Sequence, residues 1–366
     1  MNIKRQSKGL MSTATALMSM ALVISLSSCS LLSPSTTTSS ASSTAEKNIT
    51  TQKPTVTTAT KAPKAANPLT GDGDIAVGSS VRPVAIMIGN NDYSRPQIGI
   101  DKADMYVEAE TEGGITRIMA VFSGQSRLPN QIGPIRSART PFIKIAESVD
   151  AIYCHAGGST TAKKMLGSAE VGNIDALHGV NNSAFWRDPK LKSTKGLEYS
   201  MMTSRDKLNV RIKAFKFHTD FKKPSPFKFG DSNKGSGAGK NVQVRLSALQ
   251  TVSFKYDSVT GLYYKSNGTI SGGSAHKTND GITLTATSII IMYDNKYSEN
   301  ERTIGFNLEG GTGLLASEGT SRQIRWSRTK GSLNFTEYNG TALTLKAGKP
   351  YVCLTDKSNA SKTVVS

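Results

Sequence analysis

Arginine side chains are the residues of this sequence whose type and surroundings best suit chemistry. Arg117, Arg136, Arg139 and Arg187 all lie in segments rich in Gly and Ser, near the predicted ends of strands. Functional residues of α/β folds collect in such loops. A guanidinium group is planar and can bind two oxygens of a phosphate or a carboxylate at once. The four arginines therefore predict a site for an anionic ligand.

Two of these arginines are three residues apart, in the segment IGPIRSAR at residues 132–139. That spacing projects Arg136 and Arg139 from one side of a predicted helix start, with Ser137 between them. Free backbone N–H groups and the helix dipole also favour an anion there. The alternative is that both arginines are structural and pair with carboxylates of the same lobe. The candidate carboxylates are Glu108, Glu110, Glu112 and Asp188.

A second candidate segment is HAGGS, at residues 155–159. Gly157 and Gly158 would let the chain approach a ligand closely, with Ser159 beside them. The spacing matches neither a Walker loop nor a dinucleotide fingerprint. His155 could act as a general acid or base near neutral pH. The alternative is a core or hinge histidine that is hydrogen-bonded to the backbone.

Thiol and metal chemistry find little support in the sequence. Cys154 is adjacent to His155, but consecutive strand residues point to opposite faces, so the two cannot pair as nucleophile and base. We expect Cys154 to be a buried apolar residue; Cys353 would be its only disulfide partner in the folded lobes. The His and Cys residues show no zinc-ligand spacing. The acidic residues at positions 104, 108, 110 and 112 match no Ca²⁺ loop and suggest a solvated or Arg-paired face, so no metal or cofactor is predicted.

Hydrophobic periodicity indicates the elements that position these side chains. Residues 84–88, 115–122 and 151–156 are short apolar runs that end in turn residues, which predicts buried strands. Residues 137–149 have apolar positions three and four apart, which predicts a helix, and residues 160–171 are a further helix candidate. Alternating strands and helices point to an α/β arrangement.

The texture changes at about residue 241, where short runs alternate with period two between Gly, Asn and Asp turns. We therefore predict an α/β N-terminal lobe at residues 75–229 and a β-rich C-terminal lobe at residues 241–366, an α+β protein overall. The Gly-, Ser- and Lys-rich residues 230–240 are the best boundary. The pattern leaves open whether the lobes are independent domains or share a sheet.

The N-terminus has the pattern of an export signal. A basic head precedes an uncharged apolar run at residues 10–26, and residues 26–29 read LSSC. This resembles the lipobox of bacterial lipoproteins, which implies a signal peptide at residues 1–28 and acyl chains, such as palmitate, on Cys29. Two or more acyl chains would hold the protein on a membrane. The alternatives are an uncleaved anchor or a chance cysteine.

Residues 29–74 are predicted to be a disordered linker after the lipidated cysteine. Between residues 30 and 66 there are 17 Ser or Thr among 37 residues and no aromatic residue. Such a segment cannot bury enough apolar surface to offset the entropy of ordering it. The net charge is +18, of which +14 belongs to residues 75–366, spread without a single basic block. A diffuse positive field outside the membrane favours anionic lipids, wall polymers or glycans, and nucleic acid is not expected.

Several motifs resemble the YerB-like family of bacterial lipoproteins, a family of unknown function with two conserved regions. The first region is represented by RPVAIMI at 82–88, EGGITR at 112–117, IGPIRSAR at 132–139, HAGGS at 155–159 and FWRD at 185–188. The second is represented by YYK at 263–265, EGT at 318–320 and IRW at 324–326. The resemblance covers residues 80–356. It implies a membrane-anchored, extracytoplasmic location but no established activity.

These observations favour a lipid-anchored envelope protein that binds an anionic wall polymer or glycan through its Arg-rich lobe, without catalysis. One alternative is an envelope enzyme acting on a phosphate-containing or glycan substrate, with the arginines neutralising developing charge. Another is a non-catalytic adaptor in a membrane complex, which would need a large exposed apolar patch.

Overall fold

Strands dominate the computed structural model, which describes residues 64–231, 234–300 and 302–366. The elements of the first half are β1 (Lys64–Ala65), β2 (Ile75–Ala76), β3 (Val84–Gly89), β4 (Met105–Glu110), β5 (Thr116–Phe122), α1 (Thr140–Ser148), β6 (Ile152–His155), α2 (Thr160–Leu166), β7 (Gly172–Asp175), β8 (Phe185–Arg187), α3 (Pro189–Lys195), β9 (Met201–Thr203) and α4 (Arg205–Ala214). The elements of the second half are β10 (Lys228–Phe229), β11 (Gly237–Ala238), β12 (Asn241–Arg245), β13 (Thr251–Asp257), β14 (Leu262–Asn267), β15 (Ser274–Ala275), β16 (Thr285–Ala286), β17 (Ser288–Asp294), β18 (Lys296–Ser298), β19 (Ile304–Phe306), β20 (Gly310–Ser317), β21 (Thr320–Thr329), β22 (Ser332–Glu337), β23 (Thr344–Leu345), β24 (Pro350–Asp356) and β25 (Val364–Val365). The described chain is therefore α+β.

One eleven-stranded mixed sheet runs through both halves of the described chain. Its strand order is β11-β21-β20-β17-β24-β4-β5-β3-β6-β7, with β22 added beside β21. Strand β24 joins the halves, because it pairs in parallel with β17 on one side and with β4 on the other. The two lobes, which the sequence pattern left as either separate domains or partners in a sheet, therefore share one sheet.

The central strands of this sheet are buried on both faces, which is why they have continuous apolar sequences. In β3, Ala85 and Met87 pack on one face, where Phe142 of α1 covers them. Ile86 and Ile88 pack on the other face, into a core that α4 shares with a second sheet. That second sheet has the order β15-β14-β13-β12-β25, with β16 beside β14.

The predicted strands and helices are found near the expected positions, but both helices are shorter than predicted. Residues 136–138 are extended instead of helical, because the N–H of Ala138 donates to the carbonyl of Gly157, and α1 begins only at Thr140. Helix α2 ends at Leu166, before Gly167. Residues 282–286 alternate between apolar and polar side chains, which predicts a strand, but only Thr285 and Ala286 form one, β16.

The predicted linker is wrong at its C-terminal end, because residues 64–74 belong to the folded body. Leu69 is fully buried, and β1 pairs with β2. The Asn67 amide donates to Asp104, and its oxygen accepts a hydrogen bond from Ser123. Buried Leu69 and the hydrogen bonds of Asn67 hold this segment on the folded body, and composition reveals neither.

The predicted signal peptide at residues 1–28, the lipidation site Cys29 and the linker up to residue 63 lie outside the described residues. Within the described ranges, no helix is long and apolar enough to cross a membrane. The boundary segment at residues 230–240 is partly a strand: β11 pairs with β21 of the main sheet. Of the strands after this segment, β17, β20, β21, β22 and β24 belong to the same main sheet, whereas β12 to β16 and β25 form the second sheet.

Candidate functional site

Four arginines of the first half line one cleft of about 290 Å³, together with two glutamates. The chain reaches this cleft from the start of β5, from the extended segment before α1, from the end of β8 and from the turn after α3. Its lining includes Arg117, Arg136, Ser137, Arg139, Arg187, Glu112 and Glu198. Four guanidinium groups against two carboxylates leave a formal excess of two positive charges.

The inner wall of the cleft is an Arg-Glu-Arg cluster around Glu112. One oxygen of Glu112 accepts a hydrogen bond from Nη2 of Arg117, and the other accepts one from Nε of Arg139 at 2.7 Å. Backbone carbonyls take further donors, since Arg117 donates to Ser137 and Arg139 donates to Ala138, each at 2.7 Å. These contacts fix both guanidinium groups before any ligand arrives.

The outer wall is formed by Arg136 and Arg187. Arg136 donates to the carboxylate of Glu198 at 3.1 Å and lies 4.8 Å from the centre of the Tyr199 ring. Arg187 donates to the carbonyl of Leu197. The Glu198 side chain is 72% exposed, so water screens its pairing with Arg136.

Like charges raise the cost of keeping these arginines protonated, which favours an added anion. Burial and the charge of Arg139 lower the pKa of Arg117 to about 9, against the opposing effect of Glu112. Burial and the charge of Arg136 also lower the pKa of Arg187. Burial disfavours the charged form of Glu112, but Arg117 and Arg139 outweigh it and lower the pKa of its carboxyl. An anion in the cleft would relieve the repulsion among the guanidinium groups.

The HAGGS segment supports the cleft from behind, and of its residues only Ala156 is in the lining. His155 is 1% exposed; its Nδ1 lies 2.8 Å from the carbonyl of Gly157 and its Nε2 lies 2.8 Å from Oδ1 of Asn173. Gly157 has a φ of +69°, and a Cβ there would collide with Leu177. Gly158 bridges Ala138, and Ser159 caps α2 by accepting from the N–H of Ala162. The geometry fits a core histidine.

The alternative pairing proposed for the arginines holds in part. Arg139 pairs with Glu112, which was among the candidate carboxylates, whereas Arg136 pairs with Glu198, which was not. Asp188 instead caps α3, by accepting from the N–H of Leu191. The cleft is thus partly neutralised from within, and two of its guanidinium groups share a single carboxylate.

Of the two interpretations of the acidic run, the solvated face is wrong, because Asp104, Glu108 and Glu110 are buried. Pairing with arginine is confirmed for Asp104 and Glu112, whereas Glu108 and Glu110 have lysine partners. Asp104 pairs with Arg127, and Glu110 lies 2.7 Å from Nζ of Lys296. Among the described residues, no group of three or more His, Cys, Asp or Glu is arranged to hold a metal ion. Both Cys154 and Cys353 are buried free thiols, and burial raises the pKa of each.

The residues around Glu108 form a buried polar cluster at the junction of the two halves, which we call the junction cluster. Glu108 accepts hydrogen bonds from Asn90 and Thr116 at 2.7 Å and from Tyr351 at 2.5 Å. Nζ of Lys265 lies 3.4 Å from the same carboxylate. Sequence reasoning missed this cluster, because its members come from positions far apart in the chain. The one available signal was that Glu108 and Lys265 interrupt apolar strands.

His276 extends the junction cluster. Its Nδ1 accepts a hydrogen bond from Lys265 at 2.9 Å, and its Nε2 donates to Oε1 of Gln97 at 2.8 Å. Burial, Lys265 and Arg95 lower the pKa of His276 well below its usual value. A neutral imidazole can accept from Lys265 through Nδ1 while it donates through Nε2, which agrees with both contacts.

Comparison with known proteins gives the relationship of the whole chain. Residues 69–218 match the family model described as "Protein of unknown function (DUF3048) N-terminal domain", and residues 242–352 match the corresponding C-terminal domain. The chain is 31% identical over 282 residues to "Putative lipoprotein YerB" of Bacillus subtilis (strain 168), covering 74% of this chain and 81% of that protein. The chain belongs to the YerB-like family. The resemblance stated from the sequence motifs is thereby confirmed.

The YerB-like fold is also seen in a solved relative. The crystal structure of the YerB protein from Bacillus subtilis superposes with a TM-score of 0.71 at 27% sequence identity, covering 83% of this chain and all of that one. The similarity therefore spans both halves of the shared sheet. The family description states no activity.

Proposed function

We propose that this YerB-like protein is a membrane-anchored lipoprotein on the extracytoplasmic face that binds an anionic envelope ligand in its Arg-rich cleft. Acyl chains on Cys29 would provide the anchor. The relative named as a lipoprotein supports this part of the proposal, as does the lipobox motif. The observation that carries the binding proposal is the cleft itself, where four guanidinium groups face two carboxylates.

The arrangement suits binding better than turnover. Hydrogen bonds to the carbonyl of Ser137 and to Glu112 already hold Arg117 and Arg139 in place. Binding of an anion would therefore cost little entropy for ordering these side chains. Glu112 accepts hydrogen bonds from both of these arginines, which keeps its carboxylate ionised and makes it a poor proton donor or acceptor. His155 lies behind the cleft with both ring nitrogens engaged. We therefore propose that the cleft binds a phosphate or carboxylate group of an envelope ligand.

Binding of a defined polyanion tests this proposal. Full-length protein in detergent micelles is titrated with poly(glycerol phosphate), and with neutral dextran as the control polymer. We expect binding of the polyanion alone, weakening as salt is raised, because screening reduces the attraction between exposed charges.

Variants assign the binding to the cleft. Arg136→Ala combined with Arg187→Ala is expected to raise the Kd about tenfold or more, since each charged hydrogen bond contributes about 1.5–3 kcal/mol. Arg302→Ala combined with Arg325→Ala removes the same charge from exposed positions outside the cleft and should change the Kd less than twofold. Equal weakening by both pairs would mean that only the overall charge attracts the polymer, and the cleft proposal would fail.

A further inference from the structure

Three large apolar side chains stand exposed beside the cleft. Leu177 is 58% exposed and lines the cleft directly. Leu197 is 55% exposed, and its carbonyl accepts the hydrogen bond from Arg187. Tyr93 is 63% exposed and stacks on Tyr199 with ring centres 5.4 Å apart. We call Tyr93, Leu177 and Leu197 the apolar rim.

The apolar rim is connected to the cleft through side chains that already hold its arginines. Tyr199, on which Tyr93 stacks, is the same ring that Arg136 covers at 4.8 Å. Leu177 lies over Gly157, at the back of the cleft. The rim and the guanidinium groups are therefore parts of one surface, on which apolar side chains and positive charges adjoin.

Lysines of helix α3 lie on one side of this surface. Helix α3 has the sequence PKLKSTK and carries Lys190, Lys192 and Lys195 without an acidic residue. It packs against the turn at residues 197–199, which contributes to the rim. The Lys195 ammonium donates to the carbonyl of Arg95, close to Tyr93 in the chain. The surface around the cleft is positively charged as well as apolar.

A soluble polyanion needs the positive charge but gains nothing from exposed Leu and Tyr side chains. A bilayer uses both, because apolar side chains insert at the boundary of headgroups and acyl chains while Lys and Arg attract anionic lipids. A cavity of about 290 Å³ is at the small end of ligand pockets, so it has room for a group the size of one phosphate headgroup.

We infer that the apolar rim docks onto an anionic lipid bilayer and that the cleft takes the phosphate of one lipid headgroup. This inference rests on the proposed function and names its ligand class. In this arrangement the guanidinium groups donate to the phosphate oxygens, while Leu177, Leu197 and Tyr93 sit at the membrane interface. The cleft would then recognise the anionic headgroups of the membrane that holds the acyl chains of the protein.

The test places a fluorescent reporter on the rim. Full-length protein carrying Leu197→Trp is reconstituted into vesicles whose acyl chains are brominated, because bromine quenches a tryptophan that reaches the chains. Val259→Trp is the matched control, since Val259 is 92% exposed in the turn between β13 and β14, away from the cleft lining. Vesicles contain either phosphatidylcholine alone or phosphatidylcholine with 30% phosphatidylglycerol.

We expect the emission added by Leu197→Trp to fall about twofold or more in phosphatidylglycerol vesicles, and to change little in phosphatidylcholine alone or at Val259→Trp. Excess soluble glycerol phosphate should reverse the quenching, because it competes for the cleft. Equal quenching with both lipids would overturn headgroup recognition. Absence of quenching, with polymer binding still sensitive to Arg136 and Arg187, would overturn the docking inference and leave the proposed function standing. Absence of both would remove the proposed function as well.

Discussion

At the scale of single residues, the least expected feature is a neutral histidine held between a buried ammonium group and an amide. His276 is 1% exposed, accepts from Lys265 through Nδ1 and donates to Gln97 through Nε2. A protonated His276 would place a second positive charge beside Lys265, and the carboxylate of Glu108 is already paired with that lysine. Protonation of His276 is therefore opposed in the folded state but not in the unfolded chain.

This difference predicts a loss of stability in mild acid. The folded-state pKa of His276 is lowered, whereas the unfolded chain binds the proton below a pH of about 6.5. The unfolded state therefore holds more protons as the pH falls, and the free energy of unfolding decreases by at most about 1.4 kcal/mol per pH unit. Urea unfolding at a series of pH values between 7.5 and 5.5 measures this decrease in the free energy of unfolding.

The matched control for this pH dependence is a histidine on the surface. His276→Gln should be less stable at pH 7.5 but should lose most of the slope below pH 6.5, whereas exposed His178→Gln should keep the wild-type slope. If the slope survives in His276→Gln, another group causes the loss of stability in mild acid, and His276 is not the residue whose protonation the fold opposes.

At the scale of elements, short polar-looking segments prove to be parts of the core. Strand β4 contains Glu108 and Glu110, yet every residue of it is buried, because it lies between β24 and β5. The segment around Leu69 has the composition of the linker before it but packs into the same core as α1. In both, tertiary packing, and not composition, determines burial.

Leu69→Ala tests whether the segment at residues 64–74 contributes to stability. Removing a fully buried leucine side chain leaves a cavity and should lower the free energy of unfolding by about 2–5 kcal/mol. Val77→Ala is the control, because Val77 is 63% exposed, and it should change stability by less than about 0.5 kcal/mol. If Leu69→Ala and Val77→Ala both change the free energy of unfolding only slightly in chemical denaturation, residues 64–74 do not contribute to the stability of the folded body.

At the scale of the whole molecule, the two regions are joined by one sheet. Strand β24 of the second half lies between β17 and β4, so the complete main sheet needs strands from both halves. The junction cluster crosses the same seam, since Glu108 belongs to β4, Lys265 to β14 and Tyr351 to β24. We therefore expect the described body to unfold in a single transition.

The pair Glu108 and Lys265 provides the test. Glu108→Gln leaves the buried Lys265 ammonium without its carboxylate and should cost about 3–5 kcal/mol. Adding Lys265→Met should recover part of that loss, because no unpaired buried charge remains, whereas adding Lys255→Met, at an exposed position of β13, should not.

Far-UV circular dichroism and the combined fluorescence of Trp186 and Trp326 are followed together during urea unfolding. Trp326 is buried in β21, so the two signals should change at the same denaturant concentration in every variant. Two separate transitions would contradict a single cooperative body.

Much of the local structure was predictable, because hydrophobic periodicity depends on neighbours along the chain. Strands β3, β5 and β6 and helix α1 follow from it directly. The arginines of the cleft were identifiable because they cluster in Gly- and Ser-rich segments. The partners of these arginines were harder to predict, because Glu198 lies 62 residues from Arg136 and no local spacing connects them.

The sequence by itself determined the family, the alternation of buried strands and helices in the first half, and the arginines that line the cleft. These features are encoded in short motifs and in periods of two and 3.6 residues. Only the tertiary structure decided that the two halves share a sheet, that His155 supports the cleft instead of lining it, and that Glu108, Lys265 and His276 meet. The shared sheet and the meeting of Glu108 with Lys265 depend on strands far apart in sequence, and the placing of His155 depends on how β6 packs beside β7. Such contacts are set by the packing of the whole core and leave no local signal.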